Sequence, residues 1–175
     1  MSAGRKVNSL SQSWGTPVKY IDAIKIFFGG SIDLDPCSND YSLVGANVEY
    51  RLPAVDGLTA SWNYPRIFVN PPYGHDRTRG TRISHWLARC VEANRLYHSE
   101  VLALVPVATN TGHWKASVWG EASGIVFLAD TRLKFLVDGQ PGGNGAPMAC
   151  CIVYWGGRTG DFRSVFSPFG AVIIL

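Results

Sequence analysis

The sequence predicts an α/β fold, with a doubly wound, mostly parallel sheet that has an antiparallel edge. Short apolar segments alternate with segments of helical periodicity, and strand-like segments dominate towards the C-terminus. The continuous apolar run 101–105 is typical of a strand buried on both faces of a sheet. The 175 residues, 46% hydrophobic and 17% charged, suit one domain with a sizeable core. We expect the polar residues 1–13 to be a loose segment and residues 14–175 to form that domain.

The first helix is expected to begin at Thr16-Pro17, because threonine can cap a helix and proline suits its first position. Gly29-Gly30 should end it. Its apolar face comprises Tyr20, Ile21, Ile24, Phe27 and Phe28. Short strands are then predicted over residues 31–34, 47–50 and 66–69.

The clearest helical periodicity follows these strands, at Ile83, Trp86, Leu87, Cys90 and Val91. A further helix, capped by Thr111, should carry Trp114 and Val118. The glycine- and proline-rich stretch 139–147 is expected to be an exposed loop. Strands are predicted over residues 101–105, 124–128, 132–137, 148–154 and 171–175.

Several classes of protein are disfavoured by composition. The cysteines, Cys37, Cys90, Cys150 and Cys151, have no C-x-x-C spacing, and no cluster of ligand residues has metal spacing, so no metal site is expected. Adjacent Cys150 and Cys151 suit the core of a reduced intracellular protein. No apolar run is long enough to span a membrane, so we expect a cytoplasmic protein. The net charge of +3 permits an anionic partner without requiring one.

The most informative segment is Asn70-Pro71-Pro72-Tyr73, which directly follows the apolar strand 66–69. Open α/β sheets bind ligands beyond the carboxyl ends of their strands, so this position suits a functional loop. A residue before proline is restricted to extended conformations, which stiffens Asn70 and Pro71. The alternative is a Pro-Pro turn that ends a strand, with Tyr73 as a packing residue.

A stiff loop of this kind suits the alkylation of a planar amine. The amide oxygen of Asn70 and the carbonyl oxygen of Pro71 can accept both N–H bonds of the exocyclic amino group of a nucleobase. That amine is a poor nucleophile because its lone pair is delocalised into the ring. Two fixed acceptors favour a pyramidal nitrogen and direct the lone pair at an incoming methyl group, which is preorganised electrostatic catalysis. Tyr73 offers a flat face on which an extracted base can stack.

Several motifs occur in a fixed order along the chain: Trp14-Gly15-Thr16-Pro17, Ile32-Asp33-Leu34-Asp35-Pro36, Asp56-Gly57-Leu58 with Trp62, Phe68-Val69-Asn70-Pro71-Pro72-Tyr73-Gly74, Val105-Pro106-Val107-Ala108-Thr109-Asn110-Thr111 with Trp114, Arg132-Leu133-Lys134-Phe135 and Ala146-Pro147. With these motifs in order, the sequence resembles the phage-type DNA adenine-N6 methyltransferases, a branch of the class I S-adenosylmethionine-dependent methyltransferases. The resemblance covers roughly residues 14–155 and implies a Rossmann-like methyltransferase sheet, with a flipped adenine in double-stranded DNA as the methyl acceptor. It departs from the broader superfamily in one respect, because no glycine follows the first strand in residues 35–39.

The resemblance also implies which residues bind S-adenosylmethionine. Asp35 and Pro36 would lie in the cofactor loop with Asp33 beside them, and Asp56 would lie near the cofactor adenine. Thr16 would contact the methionine carboxylate, and Asn70 would face both cofactor and base. Carboxylates can accept charge-assisted hydrogen bonds from the ribose and the α-ammonium group. The alternative for Asp33 and Asp35 is turn and cap formation, and for Asp56 an Asp-Gly turn.

A basic loop, residues 74–82, follows the Asn-Pro-Pro-Tyr segment directly and carries Arg77, Arg79 and Arg82. Its position suits contact with phosphates beside a flipped base, and Lys134 is a candidate for a second contact. The alternative is a solvated loop.

Other acceptors and one other class of protein remain open. The same pair of oxygens would serve the cytosine N4 amine or a protein glutamine amide. A catalytically silent DNA-binding relative is the alternative outside enzymes, although binding alone does not require the Asn-Pro-Pro-Tyr segment.

Overall fold

The computed structural model describes residues 14–130, 133–142 and 146–175. The expected loose segment, residues 1–13, lies outside the described residues. The strands are β1 (Trp14–Gly15), β2 (Leu34–Asp35), β3 (Val48–Glu49), β4 (Arg66–Val69), β5 (Glu100–Pro106), β6 (Gly124–Leu128), β7 (Leu136–Val137), β8 (Gln140–Pro141), β9 (Cys150–Trp155) and β10 (Gly170–Ile174). The helices are α1 (Val18–Phe27), α2 (Ile83–Tyr97), α3 (Gly112–Ser117) and α4 (Thr159–Phe166), with a 3₁₀ turn at Ser167–Phe169.

The main sheet has seven strands in the order β10-β6-β9-β5-β4-β2-β3. Strands β3, β2, β4 and β5 pair in parallel, as expected. Strand β9 is antiparallel to both β5 and β6, and β10 is antiparallel to β6. The predicted α/β class is therefore confirmed, but the antiparallel part is wider than an edge because β9 lies between β5 and β6. Strands β1, β7 and β8 form a separate small sheet.

Both faces of the main sheet are covered by helices. Strand β5 shows why: Leu102 and Leu104 point into one apolar cluster, while Val101, Ala103 and Val105 point into the other. Helices α1 and α4 contribute to the first cluster, and α2 and α3 to the second. The prediction that the run 101–105 is buried on both faces is thus confirmed.

Several predicted elements are confirmed. Strands β4 and β6 have the expected bounds, and α2 begins at Ile83 with Trp86, Leu87 and Cys90 buried. The expected apolar face of α1 is also buried.

Several strand boundaries differ from those predicted from the sequence. Strand β2 begins at Leu34 rather than residue 31, and β3 is confined to Val48–Glu49. Strand β9 runs from Cys150 to Trp155 and β10 from Gly170 to Ile174. In the predicted strand 132–137 only Leu136–Val137 pair as β7, and residue 132 lies outside the described residues.

The expected helix caps and the expected loop at 139–147 were wrong in part. Pro17 precedes α1, and the hydroxyl of Thr16 contacts Asn70 instead of capping the helix. Thr111 occupies the N-cap position of α3, as predicted, but its hydroxyl donates back to the Ala108 carbonyl, 2.7 Å away, and makes no capping hydrogen bond. Within 139–147, β8 pairs with β7 and Ala146 is buried. Helix α4 was not predicted.

The cysteines pack as small core residues: Cys90, Cys150 and Cys151 are buried, Cys37 is partly buried, and all are free thiols. Burial raises the pKa of Cys150 to about 12, which keeps its thiol protonated. Among the described residues, no group of three His, Cys, Asp or Glu side chains is arranged to hold a metal ion. No helix within the described ranges is both long and apolar enough to cross a bilayer.

Candidate active site

The parallel strands β2, β4 and β5 end at the same edge of the main sheet, as parallel strands must. The Asn-Pro-Pro-Tyr segment leaves β4 at this edge, and the Asp35-Pro36-Cys37 turn leaves β2 beside it. Strand β1 and the loop that precedes β7 approach the same place, since Trp14 and Phe135 both contact Tyr73. Several segments in which site residues were predicted from the sequence therefore lie together at this edge.

The side-chain amide of Asn70 has a defined orientation. Its Nδ2 atom lies 3.0 Å from the carbonyl oxygen of Trp14 and 3.2 Å from Oγ1 of Thr16. A carbonyl oxygen only accepts hydrogen bonds, so the nitrogen of the amide must face Trp14. Among the described residues no donor is hydrogen-bonded to Oδ1, which leaves this oxygen available as an acceptor. Asn70 is partly exposed, so its side chain is not packed into the interior.

Tyr73 is a fixed wall of the site. Its hydroxyl donates to the carbonyl oxygen of Leu104 at 3.0 Å. Its ring meets Trp14 and Phe135 edge-on, with centroids 6.3 Å and 5.7 Å away, and Trp14 stacks on Phe135 at 5.0 Å. Burial raises the pKa of Tyr73, so the phenol stays neutral. The roles of Phe135 and of the Trp14 ring were not predicted from the sequence.

Two concavities meet at this edge. A small hollow in front of Asn70 is lined by Trp14, Cys37, Asn39, Asn70, Pro71, Pro72 and Tyr73. A larger cleft of about 250 Å³ lies next to it. Cys37, Asn39 and Pro72 line both, so a molecule in the cleft would be directly adjacent to one in the hollow.

The cleft has polar and apolar walls. Asp40 and Asp56 supply carboxylates, while Tyr50, Leu52 and Trp86 supply apolar surface. Other parts of the wall come from the Pro36-Cys37-Ser38 turn and from residues of the basic loop, namely Gly74, Asp76, Arg79, Thr81 and Arg82. Tyr50, Leu52 and Trp86 were not assigned to a site from the sequence; the position of Tyr50 at the end of the predicted strand 47–50 was the available signal.

A close backbone contact shapes the floor of the cleft. A β-carbon built on Gly57 would overlap the carbonyl oxygen of Pro36, so only glycine fits there. The buried Trp62 side chain donates from Nε1 to the Gly57 carbonyl oxygen at 2.7 Å, and the Asp56 carboxylate accepts from the Leu58 amide at 2.9 Å. These contacts hold residues 56–58 against the turn that follows β2.

Asp35 lies beneath the cleft rather than in it. Its side chain is buried, and its carboxylate accepts a hydrogen bond from the Cys37 amide at 3.1 Å. Burial raises the pKa of Asp35 to about 7, and the neighbouring carboxylate of Glu49 adds to the effect. The structure thus places Asp35 where it shapes the turn that borders both concavities.

This raised pKa predicts a pH dependence of stability. Between about pH 4, where the unfolded carboxyl titrates, and about pH 7, the folded chain holds a proton that the unfolded chain has lost. The free energy of unfolding must then fall as pH rises through this range. We expect wild type to lose stability relative to Asp35→Asn over that range, by up to about 1.4 kcal/mol per pH unit. Urea unfolding at several pH values measures the difference.

Asp22→Asn, which alters an exposed carboxyl on α1, is the matched control and should show no comparable trend. A difference between wild type and Asp35→Asn that stays constant with pH would contradict a raised pKa for Asp35.

Arg79 points into the cleft instead of towards solvent. The 76–81 turn closes through paired backbone hydrogen bonds between Asp76 and Thr81, and the Asp76 carboxylate accepts from the Arg79 amide. This turn brings the Arg79 guanidinium to 2.5 Å from the Asp56 carboxylate. Partial burial works against ionisation of Asp56, but hydrogen bonds from Arg79 and the Leu58 amide outweigh it and lower the pKa of Asp56.

Asp33 is not brought to the site. It precedes β2 and lies at the opposite edge of the sheet, where Arg66 binds its carboxylate at 2.7 and 2.8 Å and Asn47 donates to it at 3.1 Å. The hydrogen bond from Arg66 lowers the pKa of Asp33, more than burial raises it. Its oxygens are therefore engaged in joining β2 to β4, and we leave Asp33 out of the site.

The other predicted basic residues are exposed. Arg77 lies at the outside of the 76–81 turn, and Arg82 immediately precedes α2 at the rim of the cleft. Lys134 is exposed between the buried Leu133 and Phe135, beside the aromatic wall of the hollow.

Comparison with known proteins assigns the chain to a family. Residues 4–165 match the family model described as DNA N-6-adenine-methyltransferase (Dam). Over 123 residues the chain is 24% identical to the DNA N-6-adenine-methyltransferase of Haemophilus phage HP1 (strain HP1c1), an overlap of 70% of this chain and 65% of that relative. No solved structure matches the chain. The fold and site thus define an α/β protein with a strand-end Asn-Pro-Pro-Tyr loop. Because the family model spans most of its length, the chain belongs to the DNA N-6-adenine-methyltransferase (Dam) family.

Proposed function

We propose that the protein transfers a methyl group from S-adenosylmethionine to the N6 amino group of an adenine flipped out of double-stranded DNA. The observation that carries this proposal is the orientation of Asn70, whose Nδ2 is held by Trp14 and Thr16 while Oδ1 is left as an acceptor beside the hollow. An adenine amino group has two N–H donors and requires acceptors in this position. Family membership and the named phage relative support the same acceptor.

The cleft next to the hollow suits the methyl donor. Its carboxylates match the ribose hydroxyls and the α-ammonium group, and its apolar wall of Tyr50, Leu52 and Trp86 matches an adenine ring. Asp56 and the Pro36-Cys37 turn would hold the donor, with Asp35 supporting the turn from below. S-adenosylmethionine supplies an electrophilic methyl group on a sulfonium.

The residues of the hollow would prepare the amine. Oδ1 of Asn70 and the carbonyl oxygen of Pro71 accept its N–H bonds and concentrate the lone pair on the side that faces the cleft. Pro72, which lines both concavities, keeps this corner rigid. The Tyr73 ring, anchored through its hydroxyl, would support the flipped base.

A labelling assay tests this function. The protein is incubated with tritiated S-adenosylmethionine and DNA of mixed sequence, and the modified nucleoside is identified by mass spectrometry. We expect N6-methyladenine. N4-methylcytosine, or label in protein glutamine, would replace the proposed acceptor. If no label is transferred and calorimetry shows no cofactor binding, the enzyme proposal fails in favour of a silent DNA-binding relative.

Substitutions of the two arginines in the 76–81 turn are expected to affect DNA binding differently. Arg77 is exposed and suits a phosphate contact, whereas Arg79 is already paired with Asp56. We expect Arg77→Ala to weaken DNA binding severalfold and to reduce the slope of log affinity against log salt by about 1, the value for one lost phosphate contact. Arg79→Ala should leave that slope unchanged. Fluorescence anisotropy over a series of salt concentrations measures both.

Arg163→Ala, an exposed arginine on α4, serves as the control for net charge. Equal slopes for wild type and Arg77→Ala would remove Arg77 from the proposed DNA surface.

A further inference from the structure

Thr16 lies against the one side chain on which the proposed chemistry depends. The residue is 3% exposed, and its Oγ1 is 3.2 Å from Nδ2 of Asn70. The carbonyl oxygen of Trp14 is 3.0 Å from the same nitrogen. Both N–H groups of the amide therefore have acceptors within the protein.

The strand that contains Trp14 and directly precedes Thr16 is itself held in place. Strand β1 pairs with β7, with Trp14 opposite Val137 and Gly15 opposite Leu136. The Trp14 ring stacks on Phe135. A β-carbon on Gly15 would lie 3.1 Å from Cβ of Leu136, so the two strands are in close contact. Trp14 thus lies in the small sheet with Thr16 directly after it, whereas Asn70 directly follows β4 of the main sheet.

We infer that Thr16 is a positioning residue for methyl transfer, acting through Asn70. This inference rests on the proposed function. If the amide turned by 180°, Nδ2 would face the hollow and oppose the N–H donors of the substrate amine. The Thr16 hydroxyl and the Trp14 carbonyl favour the opposite orientation, in which Oδ1 faces the amine. The low exposure of Thr16 suits this role better than contact with the cofactor carboxylate.

Two substitutions at Thr16 separate these roles. Thr16→Val keeps the shape and removes the hydroxyl, whereas Thr16→Ser keeps the hydroxyl. We expect Thr16→Val to lower the single-turnover rate of methyl transfer about tenfold, the effect of losing one hydrogen bond, and Thr16→Ser to stay within about threefold of wild type. The dissociation constant of S-adenosylmethionine, measured by calorimetry, should change less than about twofold in both. Thr159→Val, at the start of α4, is the matched control.

A second measurement does not depend on methyl transfer. The side-chain NH₂ resonances of Asn70 can be assigned by NMR from their loss in Asn70→Asp. Thr16→Val should shift these resonances and speed their exchange with water, while Thr16→Ser should preserve them. If Thr16→Val does not fold, Thr16→Ala is measured in the same way.

The outcomes are distinct. If the Asn70 side-chain resonances are unchanged in Thr16→Val, the inference is overturned, whatever the methyl-transfer activity of that variant. Weaker cofactor binding with unchanged resonances overturns it in favour of a cofactor contact. If wild type transfers no methyl group, the proposed function fails. Shifted Asn70 resonances in Thr16→Val would then show that Thr16 orients the amide but does not position it for methyl transfer. The inference would be overturned in that case as well.

Discussion

Replacing Asn70 with alanine is expected to lower the rate of methyl transfer at least about 10²- to 10³-fold, or about 3–4 kcal/mol in the chemical step. The substitution removes the acceptor that the Trp14 carbonyl and the Thr16 hydroxyl orient towards the hollow. Asn39, the other side-chain amide in the described lining of the hollow, already accepts a hydrogen bond from the Tyr41 amide through its Oδ1 at 2.9 Å. Single-turnover transfer of tritiated methyl groups measures the loss.

Cofactor affinity should be nearly unchanged in Asn70→Ala, because Asn70 lines the hollow and not the cleft. Asn63→Ala, an exposed asparagine before β4, is a matched control for the loss of an amide. A variant that methylates DNA at the wild-type rate would overturn the proposed chemistry. A large loss of cofactor affinity would instead contradict the separate roles of the two concavities.

Gly57→Ala should damage both stability and cofactor binding. The added methyl group would overlap the Pro36 carbonyl oxygen, which is backbone and cannot rotate away. The turn after β2 must then move, and it forms a wall of the cleft and of the hollow. We expect the free energy of unfolding to fall by about 2–4 kcal/mol and cofactor affinity to fall at least about tenfold. Urea unfolding and calorimetry measure the two effects.

Gly160→Ala is the matched control, because a β-carbon on this helical glycine meets open space. It should leave cofactor binding unchanged and raise stability by up to about 1 kcal/mol, the usual gain for alanine over glycine in a helix. If Gly57→Ala behaved like this control, the close contact between residues 36 and 57 would not shape the cleft.

Elements with a strong periodic pattern could be predicted from the sequence. Helix α2 has a long periodic apolar pattern, and strands β4 and β6 are short, mostly apolar runs. Helix α4 was missed because its buried face consists of only Phe162 and Phe166, and Gly160 weakens its helical pattern. The pairing of β1 with β7 joins residues far apart in the chain, so no local pattern indicates it.

In the candidate site, the loop could be predicted but the directions of its side chains could not. A strand expected over 31–34 places Asp33 near its carboxyl end, whereas β2 begins at Leu34 and leaves Asp33 at the amino end with Arg66. A small shift in a strand boundary thus moves a residue across the sheet. Arg79 was expected to face DNA; its direction depends on the hydrogen bonds of the 76–81 turn, which charge alone does not reveal.

Ion pairs at the amino edge of the main sheet join the strands to helix α1. Arg66 joins Asp33 to the carbonyl oxygen of Phe28, and Arg158 joins Glu100 to the carbonyl oxygen of Phe27. These contacts tie strands to the end of α1 on the side remote from Asn70. Residues in the loops at the other edge can therefore change without disturbing the contacts that hold strands and helix in register.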